Sequence, residues 1–252
     1  MNKNLILFSS LSSLLILFIT VPIAFSVVIG VEYLGDIFGD VEAVRALVLS
    51  FEAGVVASLL VALTGTPLAY LLSRWRTTLT RVVESLLEIP LALPHSVAGI
   101  IILLAYNSRS SLGSVLARFG MVVEDSFWGI VFAMAFVSAP IFVSAVRAGF
   151  DSIDKEIEYV ARTLGASPLQ TFLKITLPLN FRHLIAGFIL ALARSVSEVG
   201  AVLIVAYYPK VASTLIVERF LAYGLKPALS LTVVMIFVSL AIFSALKVVL
   251  KG

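Results

Sequence analysis

The sequence predicts an all-α integral membrane protein with six transmembrane helices and both termini in the cytoplasm. Three observations lead there. Of 252 residues, 60% are apolar and only 13% charged, and the mean hydropathy is +1.10. A soluble chain is nearer half apolar and a quarter charged, so this much apolar surface requires lipid around it. Next, six runs are long enough to cross a hydrocarbon core of about 30 Å at a helical rise of about 1.5 Å per residue. Last, the cations gather on one side of those runs.

The first run, residues 5–30, follows Lys3 and resembles a signal peptide only at a glance. It is too long for a cleavable apolar region and no A-x-A site follows, so it reads as an uncleaved helix. Residues 31–44 form an acidic outer loop through Glu32, Asp36, Asp40 and Glu42. The second run, 44–73, carries Arg45 and Glu52 near its outer end. The third, 86–106, contains Pro90 and Pro94, and two prolines so close must break the helix or force its carbonyls to find other donors. Ala98 and Gly99 beyond them allow close helix approach. Runs 127–146, 184–206 and 228–246 complete the set. Pro22, Pro67 and Pro140 read as kinks, and Trp75 and Trp128 near run ends as interfacial anchors.

Orientation follows from Lys and Arg. With the N-terminus inside, the inner side carries Lys3, Arg74, Arg76, Arg81, Arg147, Lys155, Arg162, Lys174, Arg182, Lys247 and Lys251. The outer side carries Arg45, Arg109, Arg118, Lys210, Arg219 and Lys226, and Arg194 lies within a run. The net charge of +3 is too small and scattered for nucleic acid. With no Cys, thiolate metal sites and disulfides are excluded, and two His in apolar contexts do not point to a histidine-based metal centre.

The longest inner loop, 147–183, reads as two short helices joined at a glycine. Ser152 is positioned to cap the first, Asp154 and Glu156 complement its positive end, and Ile153, Ile157, Val160, Ala161 and Leu164 form an apolar stripe. Gly165 permits a left-handed turn. Ser167, Pro168 and Gln170 restart the helix as a capping box with proline in its first turn, and Pro178 marks its end.

The spacing Ala161-x-x-x-Gly165, nine residues, then Ile175-x-Leu177-Pro178 resembles the EAA loop of ABC-importer permeases, which docks into a groove on the ATPase subunit. The glutamate that names the motif is displaced: its position holds Tyr159, and Glu158 stands one residue earlier. The stretch 160–168, including Arg162, Thr163 and Leu164, is similar to the molybdate, tungstate and sulfate permeases. So are Leu93-Pro94-His95-Ser96-Val97-Ala98-Gly99, residues 193–202, Ala206-Tyr207-Tyr208-Pro209 and Thr214-Leu215-Ile216. The distal segments look most like molybdate/tungstate permeases.

The resemblance implies a type I ABC-importer permease fold, with residues 1–43 as an N-terminal helix and outer loop and 44–250 as the permease domain. Its coupling loop spans 154–178. It further implies a multi-pass protein of the cytoplasmic membrane that pairs with a second copy of itself, two ATP-binding subunits and an external oxyanion-binding protein. ATP and Mg would be bound by the partner ATPase and no cofactor by this chain, which has no G-x-x-x-x-G-K-[ST] phosphate loop. The implied cargo is tungstate or molybdate, with sulfate or thiosulfate as the alternative.

Arg194 and Glu198 lie four residues apart inside the fifth run. A charge at mid-bilayer costs about 2.5–3.5 kcal/mol on insertion scales, so the two are expected to pair. They form either a gate, with Ser195 and Ser197 adding hydroxyls along the pathway, or an ion pair that locks helices together. Pro94, His95 and Ser96 are the other pathway candidates, although a lone His in an apolar stretch also fits a hydrogen-bonded core residue. An ion-coupled secondary transporter would use Arg194 and Glu198 for coupling, but it calls for inverted repeats, and no convincing repeat is present. An intramembrane enzyme would need a paired-carboxylate, Ser/His or metal constellation that the chain lacks.

Overall fold

The structure is a computed structural model that describes residues 3–251. Lys3 and Lys251, two of the cations used for orientation, have side chains outside the described ones. Among the described residues there is helix and no strand. Helix α1 is Lys3–Gly30, and a 3-10 segment, Val31–Phe38, leads to α2, Val41–Arg74. Asp40 caps α2 through its side chain, accepting from the Ala43 amide at 3.0 Å. At 34 residues α2 is roughly 50 Å long and passes beyond any hydrocarbon layer at its ends.

The proposed third span is two helices. α3 runs Thr78–Ala92 and α4 His95–Tyr106. Pro94 has no N–H to continue α3, so the last α3-type bond is Leu93 N–H to the Ile89 carbonyl, and the next turn begins with the Pro94 carbonyl accepting from Val97 and Ala98. α5, Ser111–Arg118, follows α4 at a 74° bend. The fourth run became α6, Phe127–Ser152, which is longer than the sequence run.

The polar loop 147–183 contains α7 (Lys155–Thr163), α8 (Pro168–Thr171), a π turn (Phe172–Thr176) and α9 (Leu177–Leu179). Two details differ from expectation. Asp154, not Ser152, caps α7, accepting from the Glu156 amide, while the Ser152 hydroxyl donates to the Gly149 carbonyl at the end of α6. Pro178 lies inside the last turn, and the chain bends at Asn180. Proline is tolerated near a helix start, where its missing N–H costs nothing.

The fifth span is also broken. α10, Phe181–Val196, and α11, Gly200–Val205, are separated where the Glu198 carboxylate caps the Ala201 amide at 2.8 Å and the Ser197 hydroxyl takes the Arg194 carbonyl at 3.0 Å. α12, Ala212–Tyr223, and α13, Leu225–Lys251, end the chain. Among the described residues, four helices are long and apolar enough to cross a membrane by themselves, and up to six spans result if each of two bent pairs counts as one.

α2, α6 and α10 form the centre, with Ala53, Ala57, Ile130, Met134 and Val137 buried together with Val202 and Val205 of α11. α1 and α13 expose apolar side chains such as Phe18, Phe25 and Leu240, as lipid-facing helices do. At the far end of α2 from Arg74, Arg219 of α12 pairs with Asp40 and Glu42, and Lys210 bridges Glu42 at 3.1 Å and Glu218 at 2.7 Å. The acidic segment around Asp40 and Glu42 is therefore tied to α12.

α4 and α11 touch backbone to backbone, which glycine alone allows. A Cβ on Gly99 would lie 2.8 Å from the Ala201 carbonyl oxygen and 2.7 Å from Ile204 Cβ, and one on Gly200 would lie 2.6 Å from His95 Cβ. Gly99→Ala is therefore expected to cost roughly 1–3 kcal/mol through overpacking, while Gly35→Ala, with nothing within 4 Å of its Cβ position, changes little. Thermal unfolding of the two purified variants checks this; equal midpoints would refute the close approach.

Candidate functional site

The polar loop is held by one carboxylate. Glu158 of α7 is buried beneath the loop, and its Oε1 receives Arg74 Nε and NH2 at 2.8 Å and the Thr176 hydroxyl at 3.1 Å. Its Oε2 receives the Tyr70 hydroxyl at 2.9 Å. Arg74 NH1 donates in turn to the Phe150 carbonyl at 2.8 Å and to Ser73, whose hydroxyl reaches Asp151 at 2.6 Å. The ends of α2 and α6, the helix α7 and the π turn thus meet at one ion pair. Arg147 adds a pair with Glu84 of α3. Burial alone would push the Glu158 carboxyl up, but hydrogen bonds from Arg74, Tyr70 and Thr176 outweigh it and hold it below the ordinary carboxylate range.

With the inward face of α7 taken by this network, the apolar stripe turns outward. Ala161 is buried, but Ile157, Val160 and Leu164 are exposed, Leu164 by 84%. The stripe read from the sequence is thus divided, with Ala161 facing in and the larger side chains facing out. Leu169 and Leu173 continue the exposed apolar surface. Gly165 ends α7 with φ +93°, and Ala166 N–H closes back on the Ala161 carbonyl at 3.0 Å. Ser167 and Gln170 form the expected capping box. Arg162, Thr163, Ser167, Pro168 and Pro178 are exposed, and Ile175 and Leu177 half-buried. Beyond the loop, Asn180 is buried and its amide donates to the Val146 carbonyl of α6 at 3.0 Å.

The second cluster forms where the two broken spans meet. Arg194 NH2 lies 2.7 Å from Glu198 Oε2, as the four-residue spacing predicts. His95, brought over from the start of α4, places Nδ1 3.0 Å from the same oxygen. His95 is thus hydrogen-bonded but not in the core: its side chain is 53% exposed, against 1% for Glu198. Pro94 and Ser96 flank it at the α4 start and are exposed. Ser197 is exposed, and Ser195 faces away, buried with its hydroxyl unpartnered. A cavity of about 510 Å³ opens beside His95, Arg194 and Glu198, walled by Pro90, Leu91 and Gly200.

The sequence did not point to Tyr70, Arg74, Thr176 or Asn180. Arg74 was counted only as an orienting cation. The one available sign was a polar Tyr70 one helical turn from Arg74 at the end of an apolar run.

Residues 54–251 match the model of the family described as binding-protein-dependent transport system inner membrane component. The chain belongs to this family. As a member it is a multi-pass membrane component of a transport system that works with an ATPase and a substrate-binding protein. It is 41% identical to the molybdate/tungstate transport system permease protein WtpB of Thermococcus kodakarensis, over 98% of this chain and 96% of that one. It is 43% identical to the WtpB of Methanocaldococcus jannaschii over 82% of each. The sulfate transport system permease protein CysT of Salmonella typhimurium is more distant, at 32% over 84% of this chain and 78% of that one. A bacterial alginate ABC transporter, solved in complex with an alginate pentasaccharide-bound periplasmic protein, has the same fold. Its TM-score is 0.73 at 16% identity, with 97% of this chain and 93% of that one covered.

Removing Glu158 strands Arg74 in the interior. Where one partner of a buried pair is lost the cost is about 3–5 kcal/mol, so Glu158→Leu is expected to raise hydrogen exchange across residues 155–179 while α6 stays protected. Because the folded carboxyl lies below its unfolded value, the stabilisation is complete at neutral pH and lost as pH falls through and below the ordinary carboxylate range. The protection of the same segment in the native protein, corrected for the intrinsic pH dependence of amide exchange, should therefore fall only in acid; a protection factor unchanged across the carboxylate range would contradict the assignment.

Proposed function

We propose that this chain is the transmembrane permease subunit of an ABC importer that carries a tetrahedral oxyanion, tungstate or molybdate, across the cytoplasmic membrane. The observation that carries the substrate class is the 41% identity to a molybdate/tungstate permease over nearly the full length of both chains. The lower identity to a sulfate permease ranks sulfate second. Two copies pair in the membrane with both termini cytoplasmic. An external binding protein delivers the anion to the end bearing Asp40, Lys210 and Arg219.

In this reading the segment 154–178 is the coupling loop. Its exposed apolar residues Val160, Leu164, Leu169 and Leu173 have no partner surface among the described residues, which supports docking into an ATPase groove. Glu158 faces inward and acts as a positioning residue that holds the loop to α2 and α6. Movement of the docked ATPase is thereby passed through Arg74 and Asn180 to the bundle, which alternates between inward- and outward-facing states. ATP and Mg are bound by the ATPase, and this chain supplies the path, with Pro94, His95, Ser96, Arg194, Ser197 and Glu198 along it.

The importer assembled with its ATPase and binding protein in liposomes is expected to accumulate tungstate and molybdate only with ATP inside. Gly165→Val tests the loop: no atom lies within 4 Å of the missing Cβ, so the cost is backbone strain alone, about 1–2 kcal/mol. The variant should insert normally yet bind the ATPase more weakly or hydrolyse ATP without uptake. Normal coupled uptake would remove Gly165 from the docking loop. Orientation is read by Asp36→Cys, the sole cysteine of that variant, which an impermeant thiol reagent should label from outside in intact cells; labelling only after lysis would invert the topology.

A further inference from the structure

The cavity at the two helix breaks has an uneven supply of hydrogen-bonding groups. Glu198 is saturated by its own chain: Oε1 accepts from the Ala201 amide at 2.8 Å, and Oε2 is met by Arg194 at 2.7 Å and His95 at 3.0 Å. With 1% of its side chain exposed, it offers nothing to a passing cation. Arg194 is the opposite case. Only NH2 is engaged, by Glu198 and by the His95 ring, from which it lies 2.9 Å at Nδ1 and 3.5 Å at Nε2.

Those two ring distances are too similar for an approach along one nitrogen lone pair. NH2 therefore sits over the ring and not in line with Nδ1, which leaves the in-plane direction of Nδ1 for Glu198. Nε and NH1 of Arg194, which carry three of the five donors of a guanidinium, have no partner among the described residues and are not among the buried unpartnered atoms. Arg194 lines the open cavity of about 510 Å³ together with His95 and Glu198, and its other neighbour, a cavity of about 250 Å³ walled by residues such as Ile141, Met235 and Phe243, is largely apolar and has no carboxylate to pair these donors with.

We infer that Arg194 is the oxyanion-contacting residue of the membrane pathway, donating from Nε and NH1 to a tetrahedral oxyanion in this cavity, while Glu198 acts as a built-in counter-charge that keeps the contact releasable. This rests on the importer reading above and names where in the membrane the cargo is touched. A bare guanidinium in a low-dielectric slot would hold a dianion and stop transport. Conduction needs a site favourable enough to enter and weak enough to leave, and a carboxylate 2.7 Å away sets that balance. His95 holds NH2 of Arg194 from α4, so movement of α4 against α10 would open or close access to the free donors.

The test uses the complete importer with its ATPase and binding protein, and tungstate as the probe. Arg194→Lys keeps a cation for Glu198 but supplies a point charge without the extra donors; tungstate ions moved per ATP hydrolysed should fall about tenfold or more. Glu198→Gln preserves the cap on Ala201 but removes the counter-charge. Purified with its ATPase but without the binding protein, this variant should retain tungstate through gel filtration, near one per permease chain, where the native permease–ATPase complex and Arg194→Lys/Glu198→Gln retain none. An unchanged ratio of uptake to hydrolysis in Arg194→Lys, or no retention by Glu198→Gln, overturns the assignment. If the native importer moves no tungstate or molybdate but another solute, the oxyanion reading itself has failed and the site falls with it.

Discussion

A carboxylate withdrawn from water must be met by donors wherever it lies, and Glu158 shows how much of this architecture follows from that constraint. Its two oxygens take four hydrogen bonds, from Arg74, Tyr70 and Thr176. Those partners come from the end of α2 and from the π turn, and Arg74 extends the same connection to α6 through the Phe150 carbonyl. Once that network occupies the inner face of α7, the only surface left for Val160 and Leu164 is the outside. The exposed apolar face is therefore a consequence of where one charge is buried.

The same constraint recurs at Glu198, with a different result. There the carboxylate caps a new helix and meets a cation and an imidazole across two broken spans. The breaks have separate chemical causes: a missing N–H at Pro94, and a side-chain cap at Ala201. Gly99 and Gly200 then let the two restarted helices come together with no side chain between them. Polar groups and irregular backbone at membrane depth are tolerable because they face protein or a cavity and not lipid. The loop cluster is closed and structural, whereas the one at the breaks leaves donors facing open space.

Between these clusters the chain is ordinary membrane architecture. α2 and α6 pack through small and medium side chains, and α1 and α13 present apolar faces outward. At the opposite end of α2, Arg219 and Lys210 bind the acidic segment around Asp40 and Glu42. A helix of 34 residues is thus fastened at both ends, near Asp40 and at Arg74, and behaves as a strut between the two polar surfaces.

The sequence by itself determined the class: the number of apolar runs, the polar loop, the glycine turn at Gly165, the capping box at Ser167 and the pairing of Arg194 with Glu198. All of these are local, set by composition or by contacts within a few residues, and need no knowledge of what lies across the bundle. Only the tertiary structure decided which way Glu158 points, that Arg74 is its partner 84 residues away, and that His95 crosses 103 residues to reach Glu198. It also decided that the fifth run is two helices, as Pro90 and Pro94 already suggest for the third, and that Asp154 and not Ser152 caps α7. One residue of displacement turns a side chain by about 100° on a helix of 3.6 residues per turn. Whether Glu158 faced a partner protein or its own chain therefore depended on the packing of α7 against α2 and α6, which no spacing in the sequence records.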